Sequence, residues 1–245
     1  MLKTFSSDCG SCPLRKRPAF LTMSERELNF MTKFKVGELS IEAGAHLLSQ
    51  GAQSAQLFTV LSGFGLRHKT LVDGSRQVIS FVLPGDFIGL QAGIMGEMGH
   101  SVEAVGPMVL CVFNRSDVWN LFTEMPERGF ALAHLAAIEE HFLGDALATV
   151  GQRAAYERVA WALHRYVARC DSLGLKRGNT CPFPFRQQDL ADALGLSIVH
   201  TNKMLSKLRK NQIASIQGGE LSISNFKTLT DIAEYDEGDN PRPLI

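Results

Sequence analysis

The stretch QQDLADALGLSIVHTNKMLSKLRKN, residues 187–211, indicates two short helices joined by a tight turn. Leu190 and Leu194 lie four residues apart, so they share one face of the first helix. Gly195 is placed to end that helix, because glycine adopts the left-handed conformation at little steric cost. Ser197 is placed to cap the second helix by accepting a backbone N–H. The pattern predicts a helix-turn-helix.

The second helix has one apolar face and one cationic face. Met204, Leu205 and Leu208 form the apolar face, and the opposite face has no acidic residue. Such a helix fits the major groove of DNA, with its first residues on base edges and its cations on phosphates. An ordinary helical hairpin with a solvated charged face is the alternative. The residues of the exposed face are His200, Asn202, Lys203, Lys207, Arg209 and Lys210.

Positive charge is concentrated around this motif. The 245 residues include 25 Lys and Arg and 25 Asp and Glu, so the formal net charge is zero. Residues 151–211 contain eleven Lys and Arg against four Asp and Glu, a local charge of +7, and the segments on either side are acidic. A phosphate-binding module needs such a local excess. The chain length predicts two domains.

Several classes of protein are not expected. No stretch approaches the ~20 apolar residues of a membrane span, and the N-terminus lacks an apolar secretory core, so we expect a cytoplasmic protein without a membrane anchor. Five cysteines are an odd number, and a disulfide framework is not expected. No Ser-His-Asp, metalloprotease or phosphate-loop pattern is present, so we do not expect an enzyme.

Three segments precede the helix-turn-helix. Ser24 and Glu27 have the spacing of a capping box and predict an N-terminal helix. Residues 35–114 contain short strand-like runs separated by glycines, and Asp73-Gly74 predicts a two-residue hairpin. Strands at this spacing are typical of a sandwich or jelly roll. Helix periodicity then begins near Trp119 and continues almost unbroken to Arg169.

A long apolar stripe runs along the first of these helices. We interpret it as the coiled-coil-like seam of a dimer, and the alternative is a core helix packed against its own chain. The residues of the stripe are Leu132, Leu135, Ile138, Phe142, Ala146 and Leu147.

A small hairpin follows the helix-turn-helix, with Gly218-Gly219 at its tip, where a winged helix has its wing. The predicted fold class is therefore α+β, with an N-terminal β-roll, a long dimerisation helix and a C-terminal winged helix-turn-helix. The predicted domains are residues 1–122, 123–150 and 151–245, respectively.

This order of elements resembles the Crp/Fnr family of bacterial transcription regulators, and specifically its Fnr-like branch. The resemblance is carried by PGDFIG at 84–89, VGQRAAYERVAWAL at 150–163 and the GLS turn at 195–197. It implies a cyclic-nucleotide-binding-like roll that senses a signal, a homodimer, and RNA polymerase as a partner. It also implies two recognition helices in successive major grooves of palindromic double-stranded DNA, ~34 Å apart. A C-terminal domain that docks a protein rather than DNA is the alternative.

The resemblance also implies which residues contact DNA. Ile198 and Val199 stand where many members have an Arg-Glu pair, and Lys203 replaces a distal Arg. Apolar side chains contact thymine methyls but cannot accept from cytosine, so the half-site should be an unfamiliar one. The predicted contact residues are Gln187, Gln188, Ser197, Ile198, Val199, His200, Asn202, Lys203, Lys207 and Arg209.

The signal sensed by the roll is less well defined by the sequence. In members that bind cyclic nucleotides, a Glu after GDFIG holds the ribose and an Arg-Ser pair holds the cyclic phosphate. Here Leu90 and Gln91 occupy the region of the Glu, and His100 precedes Ser101 in place of the Arg. A mostly neutral imidazole is a poor substitute for a bidentate guanidinium, so we do not expect cyclic AMP to bind.

The Fnr-like branch ligates a [4Fe–4S] cluster through four cysteines, and the resemblance places Cys9, Cys12 and Cys111 at three of those positions. The remaining N-terminal cysteine is missing, and Pro18 and Phe20 stand where it would fall. A cluster with another fourth ligand is one alternative, and an empty remnant is a second. A zinc site would also lack part of its ligand set. We favour another signal, or none, over a metal.

Overall fold

The computed structural model describes residues 8–20 and 22–234, together with the backbone of residues 2–3. The chain forms two compact units, the first ending at Ala136 and the second beginning at Ala137, inside a long helix. The predicted fold class is confirmed, because a β-roll, a long helix and a winged helix-turn-helix follow one another.

The first unit contains the strands of the roll and the helices that flank them. Short 3₁₀ turns occur at Cys9–Ser11, Pro13–Lys16 and Arg115–Asp117. The strands are β1 (Leu2–Lys3), β2 (Lys35–Ile41), β3 (His46–Leu48), β4 (Gln56–Ser62), β5 (Gly65–Thr70), β6 (Arg76–Val82), β7 (Phe87–Ile88), β8 (Ser101–Ala104) and β9 (Met108–Asn114). The helices are α1 (Glu25–Phe34), α2 (Leu90–Met95), α3 (Val118–Glu124) and the first part of α4 (Pro126–Gln152).

Two antiparallel sheets form the roll, with strand orders β1-β2-β9-β4-β7 and β3-β8-β5-β6. Alternate side chains of β4 and β9 face the interior of the roll, where they meet residues of the other sheet. The remaining side chains face α1, α3 and α4 and form a second core with them. The inward residues are Phe58, Val60, Leu110 and Val112, and the outward residues are Leu57, Leu61, Cys111 and Phe113.

The hairpin between β5 and β6 is confirmed, but its predicted two-residue loop is wrong. The N–H of Leu71 donates to the carbonyl of Ser75 at 2.9 Å, so the loop consists of residues 72–74. The Asp73 carboxylate accepts from the Ser75 N–H, and Gly74 has φ 85°. A turn followed by a left-handed glycine is a common three-residue loop, and Asp-Gly fits it as well as it fits the shorter one.

The predicted N-terminal helix is also confirmed. The Ser24 hydroxyl accepts from the Glu27 N–H at 3.3 Å, and the Glu27 carboxylate accepts from the Ser24 N–H at 2.7 Å. Arg128 of α4 forms an ion pair with Glu27 at 2.7 Å. The capping box therefore both begins α1 and ties it to α4.

The second unit continues from the C-terminal part of α4. Its elements are α5 (Ala155–Ser172), β10 (Thr180–Pro182), α6 (Gln187–Leu194), α7 (Ile198–Lys210), β11 (Ala214–Gln217), β12 (Glu220–Ile223) and α8 (Phe226–Ala233). Its three-stranded sheet has the order β10-β12-β11, and α5 packs against α7 and α8. The short strand β10 and the helix α8 were not predicted from the sequence.

Part of the apolar stripe of α4 packs against its own chain, as in the alternative of a core helix, and the dimer seam stays a prediction. Leu132 and Leu135 pack against the outer core of the first unit, and the Phe142 ring stacks on Trp161 of α5 at 6.3 Å. Only Leu147 of that stripe is exposed. Periodicity shows that one face of a helix is buried, but it does not show which partner buries it.

Candidate nucleic-acid interface

The helix-turn-helix has the predicted turn. α6 ends where Gly195 adopts φ 62° and ψ 35°, a left-handed conformation that only glycine adopts cheaply. The Ser197 hydroxyl then accepts from the His200 N–H at 3.2 Å and begins α7. Leu190 and Leu194 are fully buried beneath the turn. The local sequence therefore fixes the angle at which α7 leaves α6.

The recognition helix α7 presents its predicted polar face to solvent. Met204 and Leu208 are buried, whereas Val199 is 75% exposed. The first turn has no acidic residue, so the positive end of the helix dipole is not compensated there. The structure places all ten predicted contact residues at the surface of the second unit.

Within this set, Gln188 already has a polar partner on its own helix, because its amide donates to the Asp192 carboxylate at 2.5 Å. Lys207 lies with its ammonium 4.0 Å from the centroid of the Tyr156 ring. This cation–π contact positions the charge at the edge of α7 while Lys207 stays exposed.

Arg186 is a cationic residue of the site that the sequence reasoning missed. Its guanidinium donates to both carboxylate oxygens of Asp189, at 3.0 and 3.2 Å, and its backbone N–H donates to the same group at 2.9 Å. Asp189 is buried, while the side chain of Arg186 is 69% exposed. The fixed guanidinium stands at the start of α6, where a phosphate can reach it. The Arg-x-x-Asp spacing of Arg186 and Asp189 is the sequence signal that could have predicted this ion pair.

The wing is a hairpin of β11 and β12 that β10 extends to a third strand. Gly218 and Gly219 have φ 59° and 79°. Two consecutive left-handed residues are typical of a type I′ turn, whose twist matches that of the strands it joins. The predicted wing is therefore present directly after the recognition helix.

Two family models match the chain, "Cyclic nucleotide-binding domain" over residues 38–125 and "Crp-like helix-turn-helix domain" over residues 157–232. The nitrogen fixation regulation protein FixK of Bradyrhizobium diazoefficiens is 30% identical over 213 residues, which cover 86% of this chain and 88% of that protein. The chain belongs to the Crp/Fnr family of transcription regulators.

Other members of the family align over nearly the whole chain. The transcriptional activator protein FnrL of Cereibacter sphaeroides is 25% identical over 240 residues, 96% of this chain and 95% of that protein. The solved structure of FixK2 from Bradyrhizobium japonicum shares the fold with a TM-score of 0.72, at 24% identity over 81% of this chain and 98% of that chain. This Crp/Fnr protein is a DNA-binding transcription regulator.

In the roll of this Crp/Fnr chain, His100 and Ser101 stand where cyclic-nucleotide-binding members have their Arg-Ser pair. Ser101 forms a hydrogen bond within the roll itself. The Ser101 hydroxyl accepts from the Gln50 N–H at 3.0 Å. Burial lowers the pKa of His100 to about 4, and the nearby charge of Arg67 contributes to this shift. His100 is therefore a neutral imidazole at neutral pH, as the sequence interpretation assumed.

The three cysteines of the first unit line one apolar cleft of about 70 Å³, partly open to solvent. Burial raises the pKa of Cys111 to about 12 and also raises that of Cys9. In the part of the chain that the structure describes, no three Cys, His, Asp or Glu side chains form a group that could hold a metal ion. The side chains of this cleft therefore do not by themselves fit a metal or cluster.

None of the helices within the described residues is both long and apolar enough to cross a membrane.

Proposed function

We propose that this Crp/Fnr regulator binds a two-fold symmetric DNA site as a homodimer, with α7 of each protomer in a major groove. The observation that carries the proposal is the exposed polar face of α7, which begins at a capped helix N-terminus and has no acidic residue in its first turn. Residues 1–122 would sense the signal, residues 123–150 would dimerise, and residues 151–245 would bind DNA.

The first turns of α7 would read the bases. Ile198 and Val199 supply exposed methyl groups that suit thymine, and Lys203 supplies a donor that suits guanine. His200 and Asn202 lie on the same exposed surface. Sequence preference would therefore arise from apolar and donor contacts, without an acceptor for cytosine.

Other residues would contact phosphates and set the register on the duplex. Lys207 and Arg209 lie farther along α7, and Gln187 and Gln188 lie at the start of α6. Arg186 joins this group because Asp189 fixes its guanidinium at the same helix end.

The homodimer would form through the face of α4 that its own chain leaves open. Phe130 and Leu147 are 70% and 75% exposed, and the positions between them are mostly small. Small residues allow two helices to approach closely along a seam with alternating three- and four-residue spacing. The exposed residues of this face are Phe130, Ala133, Ala137, Glu140, Gly144, Leu147 and Gly151.

The role is regulatory rather than catalytic, and it would be exerted in the cytoplasm, where the DNA lies. RNA polymerase at the bound promoter is the partner that family membership suggests. The signal would differ from cyclic AMP, since His100 is held neutral and the Ser101 hydroxyl already accepts a bond within the roll.

The proposal is tested by measuring assembly and DNA binding together. Leu147→Asp places a charge in the seam, and Val72→Asp places the same charge on the exposed β5–β6 hairpin as a control. Sedimentation should show a dimer for the wild type and Val72→Asp and a monomer for Leu147→Asp. In gel shifts on genomic fragments at two salt concentrations, only the monomeric variant should lose specific binding. A monomeric wild type that binds DNA specifically would contradict the proposal.

A further inference from the structure

The apolar cleft of the first unit is built from three separate parts of the chain. Phe20 lies in the segment before α1, Met31 lies in α1, and Leu61 lies on the outward face of β4. The cleft has a volume of about 70 Å³ and is partly open to solvent. A molecule bound in it would therefore contact all three parts at once.

Two cationic residues, Arg15 and Lys35, also line the cleft, and no acidic residue of the described chain lines it. The Lys35 ammonium pairs with the Glu38 carboxylate at 2.7 Å, and both side chains are largely buried. The charge of Lys35 is therefore compensated by the protein itself.

The guanidinium of Arg15 is used only in part. One of its terminal nitrogens donates to the backbone carbonyl of Gly10 at 3.1 Å. Its Nε is buried, and no hydrogen-bond partner for it lies within the described residues. Buried polar atoms are rarely left without a partner, and a guanidinium binds carboxylates through charge-assisted hydrogen bonds. Arg15 therefore offers a donor to an anion inside an otherwise apolar cleft.

We propose that this cleft binds a small organic acid, with its apolar body among the side chains of the cleft and its carboxylate on Arg15. Pockets for drug-sized ligands have roughly 300–1,000 Å³. A cleft of about 70 Å³ therefore accepts an apolar body of only a few carbon atoms. Arg15 is partly exposed, so a carboxylate held there keeps part of its hydration and is not fully desolvated.

The same features disfavour other classes of ligand. A cation would meet Arg15 and Lys35 without an acidic residue of the described chain in the lining. A cyclic nucleotide is larger than the cleft, and its sugar and phosphate offer little apolar surface. A neutral apolar molecule would fill the cleft but would leave the Arg15 Nε without a partner.

The lining connects the cleft with two other parts of the first unit. The Phe20 ring packs on Gly85 of the PGDFIG segment so closely that no Cβ would fit there. Met31 belongs to α1, which Glu27 joins to Arg128 of α4 at 2.7 Å. We expect a bound acid to fix α1 and so to regulate DNA binding. This regulatory part rests on the proposed function, whereas binding of the acid does not.

Calorimetric titration of the full-length protein with short carboxylic acids tests the binding. Affinity should rise about fourfold for each methylene added from propanoate to pentanoate, because more apolar area is buried. Pentanol has the same body without the carboxylate and should bind roughly tenfold more weakly than pentanoate, because it lacks a charge-assisted hydrogen bond. Absence of binding, equal affinities of acid and alcohol, or no dependence on chain length would overturn the proposal.

Two variants and a matched control locate the bound acid. Arg15→Met should weaken pentanoate binding roughly tenfold, because one hydrogen bond to a charged group is lost. Lys16→Met removes a neighbouring cation that is exposed and outside the lining, and it should not change the affinity. Cys12→Phe fills the cleft from a partly exposed position and should abolish binding. Unchanged affinity in both Arg15→Met and Cys12→Phe would overturn the site. Circular dichroism identifies a variant that fails to fold, and the comparison of acid with alcohol needs no variant.

The thiols of the cleft give a local readout in the wild type. Cys9 and Cys12 are partly exposed, so iodoacetamide should alkylate them at rates that peptide mapping measures. Saturating pentanoate should slow both rates, and acetate at the same concentration should not. Rates that pentanoate leaves unchanged would also overturn the site.

DNA affinity is measured separately, with and without pentanoate. Equal affinities in a protein that binds both the acid and DNA would overturn the regulatory part. Absence of DNA binding under both conditions would instead count against the proposed function and leave the binding result as it stands.

Discussion

The guanidinium of Arg158 donates to the carbonyl of Leu194 at 3.2 Å and so joins the start of α5 to the end of α6. Its Nε donates to the carbonyl of Arg153 at 2.8 Å, beyond the end of α4. A Cβ on Gly195 would lie 3.4 Å from the Val150 side chain. The junction between α4 and α5 and the turn of the helix-turn-helix therefore form one packed cluster.

Replacing Arg158 with Met should disrupt this cluster while keeping a side chain of similar length. Two hydrogen bonds from a charged donor are lost, so we expect the free energy of unfolding to fall by ~1–3 kcal/mol, with weaker DNA binding as a consequence. Urea unfolding of the purified variant measures the first effect. Arg209→Met is the matched control, because Arg209 is exposed on α7 and should affect DNA affinity alone. Equal stability of both variants would remove the structural role of Arg158.

Lys203 and Lys207 should behave differently on DNA although both are exposed on α7. Lys203→Ala should weaken binding to the specific site by ~1–3 kcal/mol and leave random DNA less affected, because a base contact is lost. Lys207→Ala should weaken binding to all sequences alike and reduce the salt slope by about one, because a phosphate contact is lost. Titrations at several salt concentrations on specific and random duplexes distinguish them. Equal effects of the two changes on both duplexes would contradict a base-reading role for Lys203.

The helix-turn-helix could be predicted in detail because its signals are local. The left-handed Gly195 and the Ser197 cap act within a few residues, and both adopt the expected geometry. The partner of the α4 stripe could not be predicted, because Phe142 meets Trp161 only after the chain has turned back. β10 has three residues including Pro182, and only its pairing with β12 makes it a strand. Side-chain alternation along β9 would have predicted that Cys111 faces the helices.

His100 should make the stability of the protein depend on pH in the acid range. Its pKa in the folded state is about 4, below the unperturbed value of 6.5, mainly because the side chain is buried. Between these two values the unfolded chain binds a proton that the folded chain does not, so stability should fall as pH decreases from about 6.5 to 4. Above pH 6.5 His100 is neutral in both the folded and the unfolded chain, so it does not make the stability depend on pH. His100→Gln should flatten this part of a stability–pH curve measured by denaturant unfolding, and an unchanged slope would exclude His100 as its source.

Thr201 tests whether a buried hydroxyl in the recognition helix α7 lowers the stability of the protein. Its side chain is fully buried, and no hydrogen-bond partner of its hydroxyl lies within the described residues. Thr201→Val keeps the shape and removes a buried polar atom, so the free energy of unfolding should rise by ~1–3 kcal/mol. Thr32→Val on α1 is the control, because that hydroxyl is exposed and donates to the Leu28 carbonyl. A destabilised Thr201→Val protein would mean that the hydroxyl is bonded in solution.

The most direct test of two-fold DNA recognition is selection of binding sites from a pool of randomised duplexes, with the stoichiometry of the selected complex measured by sedimentation. We predict that the enriched sequences form an inverted repeat whose half-sites are centred ~34 Å apart, and that two protomers bind each duplex. Enrichment of a single asymmetric site bound by one protomer, or no enrichment at all, would contradict this account.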